Sequence, residues 1–268
     1  MSMPDSGPVF RPDWRAFVAL GVVLLFATWR FVDTIEDMHS DAGLIAADHA
    51  TYLAFQHARH PWLDQLVITI TELGDQLVVT AVALAIAAWL AWQRAWRTLV
   101  FWLIAVAGGS IINTAIKVEM HRVRPGDMHY AGWSAFSFPS GHSTTNTVLY
   151  GFLAIIVMRL VKPAWRFAVA SGALVLVGAI AVSRLYVGAH WLSDVVGGLA
   201  FGSLWLALLG LFYLYRQTEP IDVGKLLGVA LVALVLAGGV NIALNHSGDL
   251  RRYAVNTCLV DPTGSCTQ

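Results

Sequence analysis

Charge is what this sequence has least of. Of its 268 residues only 13% are Asp, Glu, Lys or Arg, against 57% hydrophobic, and the mean hydropathy is +0.64. Soluble domains carry about a quarter charged residues, so an ordinary soluble domain is a poor match and a membrane protein is expected. The 17 bases and 17 acids cancel to a formal net charge of zero. A broad nucleic-acid surface would need a basic patch to displace counterions from phosphates, so no such partner is expected. An internal repeat, a low-complexity segment and a Gly-rich nucleotide loop are also missing. Cysteine is reduced to Cys258 and Cys266, near the C-terminus. They form a disulfide in an oxidising compartment or stay as two unpaired thiols, and both readings stand. No A-x-A site closes the basic-then-apolar N-terminal run, so that run is read as a retained span and not as a cleaved signal.

What is abundant is apolar sequence of spanning length. Such stretches recur at about 16–32, 75–92, 99–116, 144–161, 167–183, 191–214 and 226–244, against roughly 17–25 residues needed for a helix to cross hydrocarbon. Gly and β-branched residues inside them would weaken a soluble helix, but in lipid the backbone has no other hydrogen-bond partner, so helix wins. The fold class expected is all-α, a polytopic membrane bundle with a six-helix core and a seventh C-terminal span. Two units follow: residues 1–224, with the chemistry-bearing core at about 48–215, and 225–268, the extra span with a short polar tail from 245. Trp14, Trp29, Trp92, Trp96, Trp102, Trp165 and Trp191 fall near the proposed ends, where an amphipathic ring prefers the headgroup region.

Orientation follows from Lys and Arg, which keep short loops cytoplasmic. Arg11, Arg15, Arg94, Arg97, Arg159, Lys162, Arg166, Arg216 and Lys225 fall in alternate loops. The opposite set begins with 33–76, where Asp33, Glu36, Asp37, Asp41, Asp48, Asp64, Glu72 and Asp75 face a single base, Arg59. The N-terminus is therefore expected inside, with 33–76, 117–143 and 184–190 outside. Residues 33–76 should run along the outer surface, with an interfacial helix near 44–58 turning Leu53 and Phe55 inward.

Two outward loops carry the chemistry. One runs from Lys117 across six residues to Arg124-Pro125 and closes on Pro139-Ser140-Gly141-His142. The other reads Ser183-Arg184, five residues, His190, three residues, Asp194. Lys117, Arg124 and Arg184 offer cations to a phosphate, the arginines as planar forks. Ser140-Gly141 stands at an expected helix N-terminus, where free N–H groups and the dipole favour an anion. His190 and Asp194 share a helix face, so the carboxylate can accept from Nδ1 and leave Nε2 to attack phosphorus. His142 would then protonate the leaving oxygen, which requires His190 neutral and His142 charged, hence a bell-shaped rate profile. Neither a metal nor another cofactor is needed.

KVEMHRVRP, PSGH and SRLYVGAHWLSD, in that order and with every spacing intact, resemble the motifs of the type 2 phosphatidic acid phosphatases, which share their site design with vanadium haloperoxidases. The resemblance implies a six-helix core, a metal-independent site at the outer face, and the roles above for Lys117, Arg124, Ser140, Gly141, His142, Arg184, His190 and Asp194, with Pro125, Pro139 and Ser183 in support. The seventh span and tail lie outside that core.

Each motif alone has a plainer reading. Lys117 and Arg124 read as snorkelling bases, PSGH as a capping turn, and His190 with Asp194 as an intramembrane polar pair. Their conjunction favours the catalytic one. His57, His60 and Asp64 are more readily solvated than metal-ligating. Glu72, Gly74 and Asp75 read as the turn before the second span, Asn113 as an interhelical hydrogen bond, and His121 and Arg122 as candidates for a larger headgroup.

The function expected is hydrolysis of a lipid phosphate or diphosphate through a phosphohistidine, in a bacterial inner membrane. An outward site suits undecaprenyl diphosphate first, with phosphatidic acid, phosphatidylglycerol phosphate, a lysolipid phosphate or lipid A as alternatives. A multi-span transporter and vanadate-dependent halide oxidation are the competing classes. Oligomeric state has no signature in the sequence.

Overall fold

A computed structural model describes residues 14–40, 43–126, 130, 132–216, 219–254, 259–260 and 266–267. Nine α-helices occur among them: α1 Trp14–Ser40, α2 Leu44–His57, α3 Pro61–Glu72, α4 Gln76–Trp92, α5 Trp96–Met120, α6 Gly141–Leu160, α7 Pro163–Tyr186, α8 Leu192–Tyr215 and α9 Val223–Arg252. A single 3₁₀ turn, Gly132–Ala135, lies between α5 and α6, and two short antiparallel strands, Leu259–Val260 and Cys266–Thr267, follow α9. Cys258 lies outside the described residues.

Seven helical stretches are long and apolar enough to span a membrane, and their positions match the seven expected runs with extended ends. The second is the exception, because Pro61–Trp92 consists of α3 and α4 broken at Leu73-Gly74-Asp75. The last third of the segment expected on the outer surface, from Pro61 on, therefore lies within the bundle, where Ile68, Thr71 and Glu72 are buried. α2 forms where the interfacial helix is expected. Phe55 turns inward against Tyr186, but Leu53 is exposed; two residues are about 200° apart on a helix, so both cannot face the core.

α6 is the axle. It packs on α5, α7 and α8, while α1 lies along α8 and α9 along α3 and α4. Val82, Ile86, Leu90, Leu149, Phe152, Ile156 and Ile180 form the centre of the apolar core. Trp102 is fully buried there, its indole N–H donating to the Ala83 carbonyl at 3.0 Å, so it is a packing residue and not an interfacial anchor. Trp14, Trp29, Trp92, Trp96 and Trp165 are exposed. The polar tail expected from residue 245 is instead helical through Arg252, with His246 and Tyr253 turned back on the bundle.

Local signals set the ends that matter. Pro61 and Pro163 stand in the first turns of their helices, where a missing N–H costs nothing. Ser140 caps α6, and His121 ends α5 in the left-handed conformation at φ 48°. That turn folds Arg122 and Arg124 back beneath the helix ends, where Val123 bridges Phe136.

Candidate active site

The C-termini of α5 and α7 and the N-termini of α6 and α8 meet at one end of the bundle. The second loop presents His190 just ahead of α8, 3% exposed. Asp194, fully buried one turn into α8, accepts from the Trp191 backbone N–H at 2.9 Å and stands 3.4 Å from His190 Nδ1. Nδ1 makes no hydrogen bond at that length. On the other side of the ring, Arg124 Nη1 lies 3.0 Å from Nε2. Arginine can only donate, so Nε2 accepts and the ring proton belongs on Nδ1, facing Asp194. Burial, followed by Arg124, Lys117 and Arg184, holds the His190 imidazole well below its usual range, so it stays neutral at pH 7.

The expected cations converge. Lys117, 3% exposed, donates to the carbonyls of Phe136 and Ser137 at 3.0 and 3.1 Å. Arg124 is fixed by the carbonyls of Ser134 and Ala189 at 3.0 and 2.7 Å and lies over the Tyr130 ring. Arg184 donates to Thr71 Oγ1 at 2.7 Å and reaches the hydroxyls of Tyr253 and Tyr130 at 3.4 and 3.5 Å. Its buried Nε has no partner, a donor held ready for an anion. Burial pushes the Tyr253 hydroxyl up to about 12, so it remains a donor.

Ser140 Oγ accepts from Ser143 N–H at 3.4 Å and from Ser143 Oγ at 3.1 Å, while its own N–H donates to the Asp194 carbonyl at 3.0 Å. Gly141 opens α6 beside Lys117 and Asn113. Where α8 passes this turn, a side chain at Gly198 would come within 2.7 Å of the Ser140 carbonyl, so only glycine allows that approach. Pro125 and Pro139 are buried in the loop. Ser183 is turned away, its hydroxyl donating to Ile180 O in its own helix at 2.6 Å. Asn113 donates to Thr144 Oγ1 at 2.9 Å, the interhelical bond expected of it.

Three placements differ from the expectation. Arg122 does not offer itself to a headgroup: it bridges Asp194 and Asp48 of α2, both at 2.6 Å, and touches Ser193. It acts as a clamp that holds Asp194 in place. Asp64 is tied down through Oδ1, which accepts from Arg59 Nε at 2.7 Å and from the Tyr186 hydroxyl at 2.6 Å. Asp75 does more than make a turn, since its Oδ1 lies 2.8 Å from His142 Nε2. Asp48, Asp75, Asn241 and Tyr253 were not legible as site residues, because each meets the site from an element distant in sequence, and Tyr130 was not because it lies between the motifs of the first loop and belongs to neither. The Gly-Asp pair ending the polar segment is the only local signal any of them gives.

The PAP2 superfamily pattern matches residues 99–219. Phosphatidylglycerophosphatase B of Bacillus subtilis (strain 168) is 31% identical over 173 residues, which cover 62% of this chain and 83% of that one. The chain belongs to the PAP2 superfamily. Lipid A 1-phosphatase of Rhizobium johnstonii is 34% identical over 146 residues, covering 51% of this PAP2 chain and 54% of the relative. The crystal structure of a transmembrane PAP2 type phosphatidylglycerolphosphate phosphatase from Bacillus subtilis superposes with a TM-score of 0.60 at 27% identity, over 74% of this chain and 97% of that one. Asp48, Asp75, Asn241 and Tyr253 all lie outside the stretch the family pattern matches.

Proposed function

We propose that this PAP2 protein is a multi-pass membrane phosphatase that removes phosphate from a lipid through a phosphohistidine on His190. The observation that carries the reading is His190 itself: a buried, neutral imidazole with a carboxylate behind Nδ1 and a guanidinium at Nε2. Arg124 then guides a phosphoryl oxygen to the ring nitrogen that attacks. Lys117, Arg184 and the N–H groups at the start of α6 take the other oxygens as charge develops.

The Nε2 lone pair forms the bond to phosphorus as the bond to the lipid oxygen breaks, and charged His142 gives its proton to that oxygen. His142, now neutral, takes a proton from water, whose oxygen attacks phosphorus and returns Nε2 to His190. Inorganic phosphate leaves and both histidines are restored. Arg124 and Arg184 make no ion pair with a carboxylate among the described residues and, with Lys117 beside them, supply positive charge for an anion. The reading therefore calls for no metal.

The bases Arg94, Arg97, Arg159, Lys162, Arg166, Arg216 and Lys225 lie at the helix ends opposite the site, which supports a cytoplasmic N-terminus and a site on the outer face of an inner membrane. The named relatives favour a glycerophospholipid phosphate such as phosphatidylglycerol phosphate, or the phosphate of lipid A. Undecaprenyl diphosphate keeps the support of the topology alone.

The test is phosphate release by detergent-purified protein with EDTA, offered phosphatidylglycerol phosphate, lipid A, phosphatidic acid and undecaprenyl diphosphate in parallel. Release by the wild type and none by His190→Ala is expected. Equal release by both proteins, or none from any lipid by folded wild type, overturns the reading.

A further inference from the structure

Asp75 stands at the cap of α4 with extended backbone angles, φ −66° and ψ 155°. An aspartate there ordinarily turns its side chain onto the exposed N–H groups of its own helix. This one makes no such bond. Oδ1 reaches His142 Nε2 at 2.8 Å, and Oδ2 accepts from Asn241 Nδ2 at 2.9 Å. Asn241 is 1% exposed in the middle of α9 and also donates to the Glu72 carbonyl at 3.0 Å, so it grips the break between α3 and α4 from both sides. A buried polar side chain in an apolar spanning helix is costly, and its cost points to a task.

The chain is shaped to bring this carboxylate to His142. A side chain at Gly74 would lie 2.5 Å from Ile180 Cγ2, 3.0 Å from Asn146 Nδ2 and 3.3 Å from His142 Cδ2. Only glycine lets the break approach α6 so closely. Asn146 Nδ2 then ties Gly74 O to His142 O at 3.0 and 2.9 Å. The break in the second span is thus fastened to the first turn of α6.

We propose that Asp75 is the positioning residue for His142 as proton donor, and that α9 belongs to the catalytic apparatus because Asn241 holds Asp75 in place. The proposal rests on the phosphohistidine reading above. With Nε2–H committed to Asp75, Nδ1 is the ring nitrogen that carries the transferable proton. Asp75 stays ionised throughout: it faces an imidazolium before the P–O bond breaks and a neutral imidazole after the proton has gone to the leaving oxygen. The two histidines are therefore used in opposite senses, His190 reacting at Nε2 with its aspartate at Nδ1, and His142 at Nδ1 with its aspartate at Nε2.

The experiment compares kcat/KM, which covers formation of the phosphoenzyme, on phosphatidylglycerol phosphate and on 4-nitrophenyl phosphate, whose leaving group departs without a proton. Asp75→Asn should lose about 10- to 100-fold in kcat/KM on the lipid, the scale seen when the orienting partner of a metal-ligating histidine is removed, and keep kcat/KM on the aryl ester within about threefold of wild type. Asn241→Leu should show the same selective loss to a smaller extent. His142→Ala sets the full selectivity, and His190→Ala should abolish both reactions. An equal loss on both substrates, or no loss on either, overturns the role of Asp75. Turnover retained by His190→Ala would instead sink the underlying mechanism. Should Asp75→Asn not fold, Asn241→Leu decides by the same ratio.

Discussion

The protein holds two His–Asp pairs that are built in opposite ways. His190 and Asp194 are four residues apart at the entry to one helix, both almost fully buried, and Arg122 locks the carboxylate against α2. His142 and Asp75 are 67 residues apart, partly open, and brought together by a glycine break in one span and an asparagine on another. The first pair is a local arrangement inside a stretch the family pattern matches. The second depends on packing among α3, α4, α6 and α9, of which the pattern covers only α6. A local pair withstands drift elsewhere in the chain, whereas an assembled pair can be adjusted by residues far from the chemistry. In the proposed mechanism, nucleophile and proton donor thus answer to different parts of the molecule.

Breaking the local pair should do the most damage. His190→Ala is expected to reduce lipid hydrolysis by about 10⁴- to 10⁶-fold, the range for removal of a covalent nucleophile, measured as phosphate release. Asp194→Asn comes next, at roughly 10³- to 10⁴-fold, because the wrong ring tautomer is then favoured. That variant also leaves Arg122 without one of its two carboxylates. Loss of one partner from a buried ion pair costs about 3–5 kcal/mol, so its thermal unfolding midpoint in detergent should fall as well.

The assembled pair should give a smaller and more selective loss. His142→Ala is expected to cost about 10²- to 10⁴-fold in kcat/KM on lipid substrates, the usual worth of a positioned acid, with little change in kcat/KM on an activated aryl ester. Gly74→Ala adds a Cβ only 2.5 Å from Ile180 and should reproduce that selectivity more weakly. A gentler probe is pH. Because His190 is held neutral well below its usual range, it gains a proton only far on the acid side, so kcat/KM should not drop between pH 7 and about 6, near the free imidazole value. Below that the rate should fall as His190 gains its proton. A drop already complete at pH 6 would place the nucleophile in an ordinary environment.

The same contrast explains what the sequence could reveal. Seven spans were legible because apolar length is a local property, and Lys117, Arg124, His142, Arg184 and His190 because motif spacing is one too. The broken second span was not, since Leu73-Gly74-Asp75 looks like any turn until α6 and α9 close around it. Arg122 was misjudged because nothing near it announces Asp48, 74 residues away. Asn241 sits inside the apolar run 226–244 with nothing near it in sequence to mark it, and Tyr253 falls in what reads as a tail. Each acquires meaning only from a contact across the bundle. Leu53 and Phe55 show the reverse failure, where composition suggested burial for both and helix geometry allowed it for one.

The most direct measurement is a rapid-quench experiment with phosphatidylglycerol phosphate labelled in its terminal phosphate, stopped in alkali and followed by peptide mapping. The account predicts a transient, alkali-stable label on His190 in the wild type, appearing before free phosphate, and no label in His190→Ala. Product formed at full rate with no labelled protein, or with the label on another residue, would contradict it.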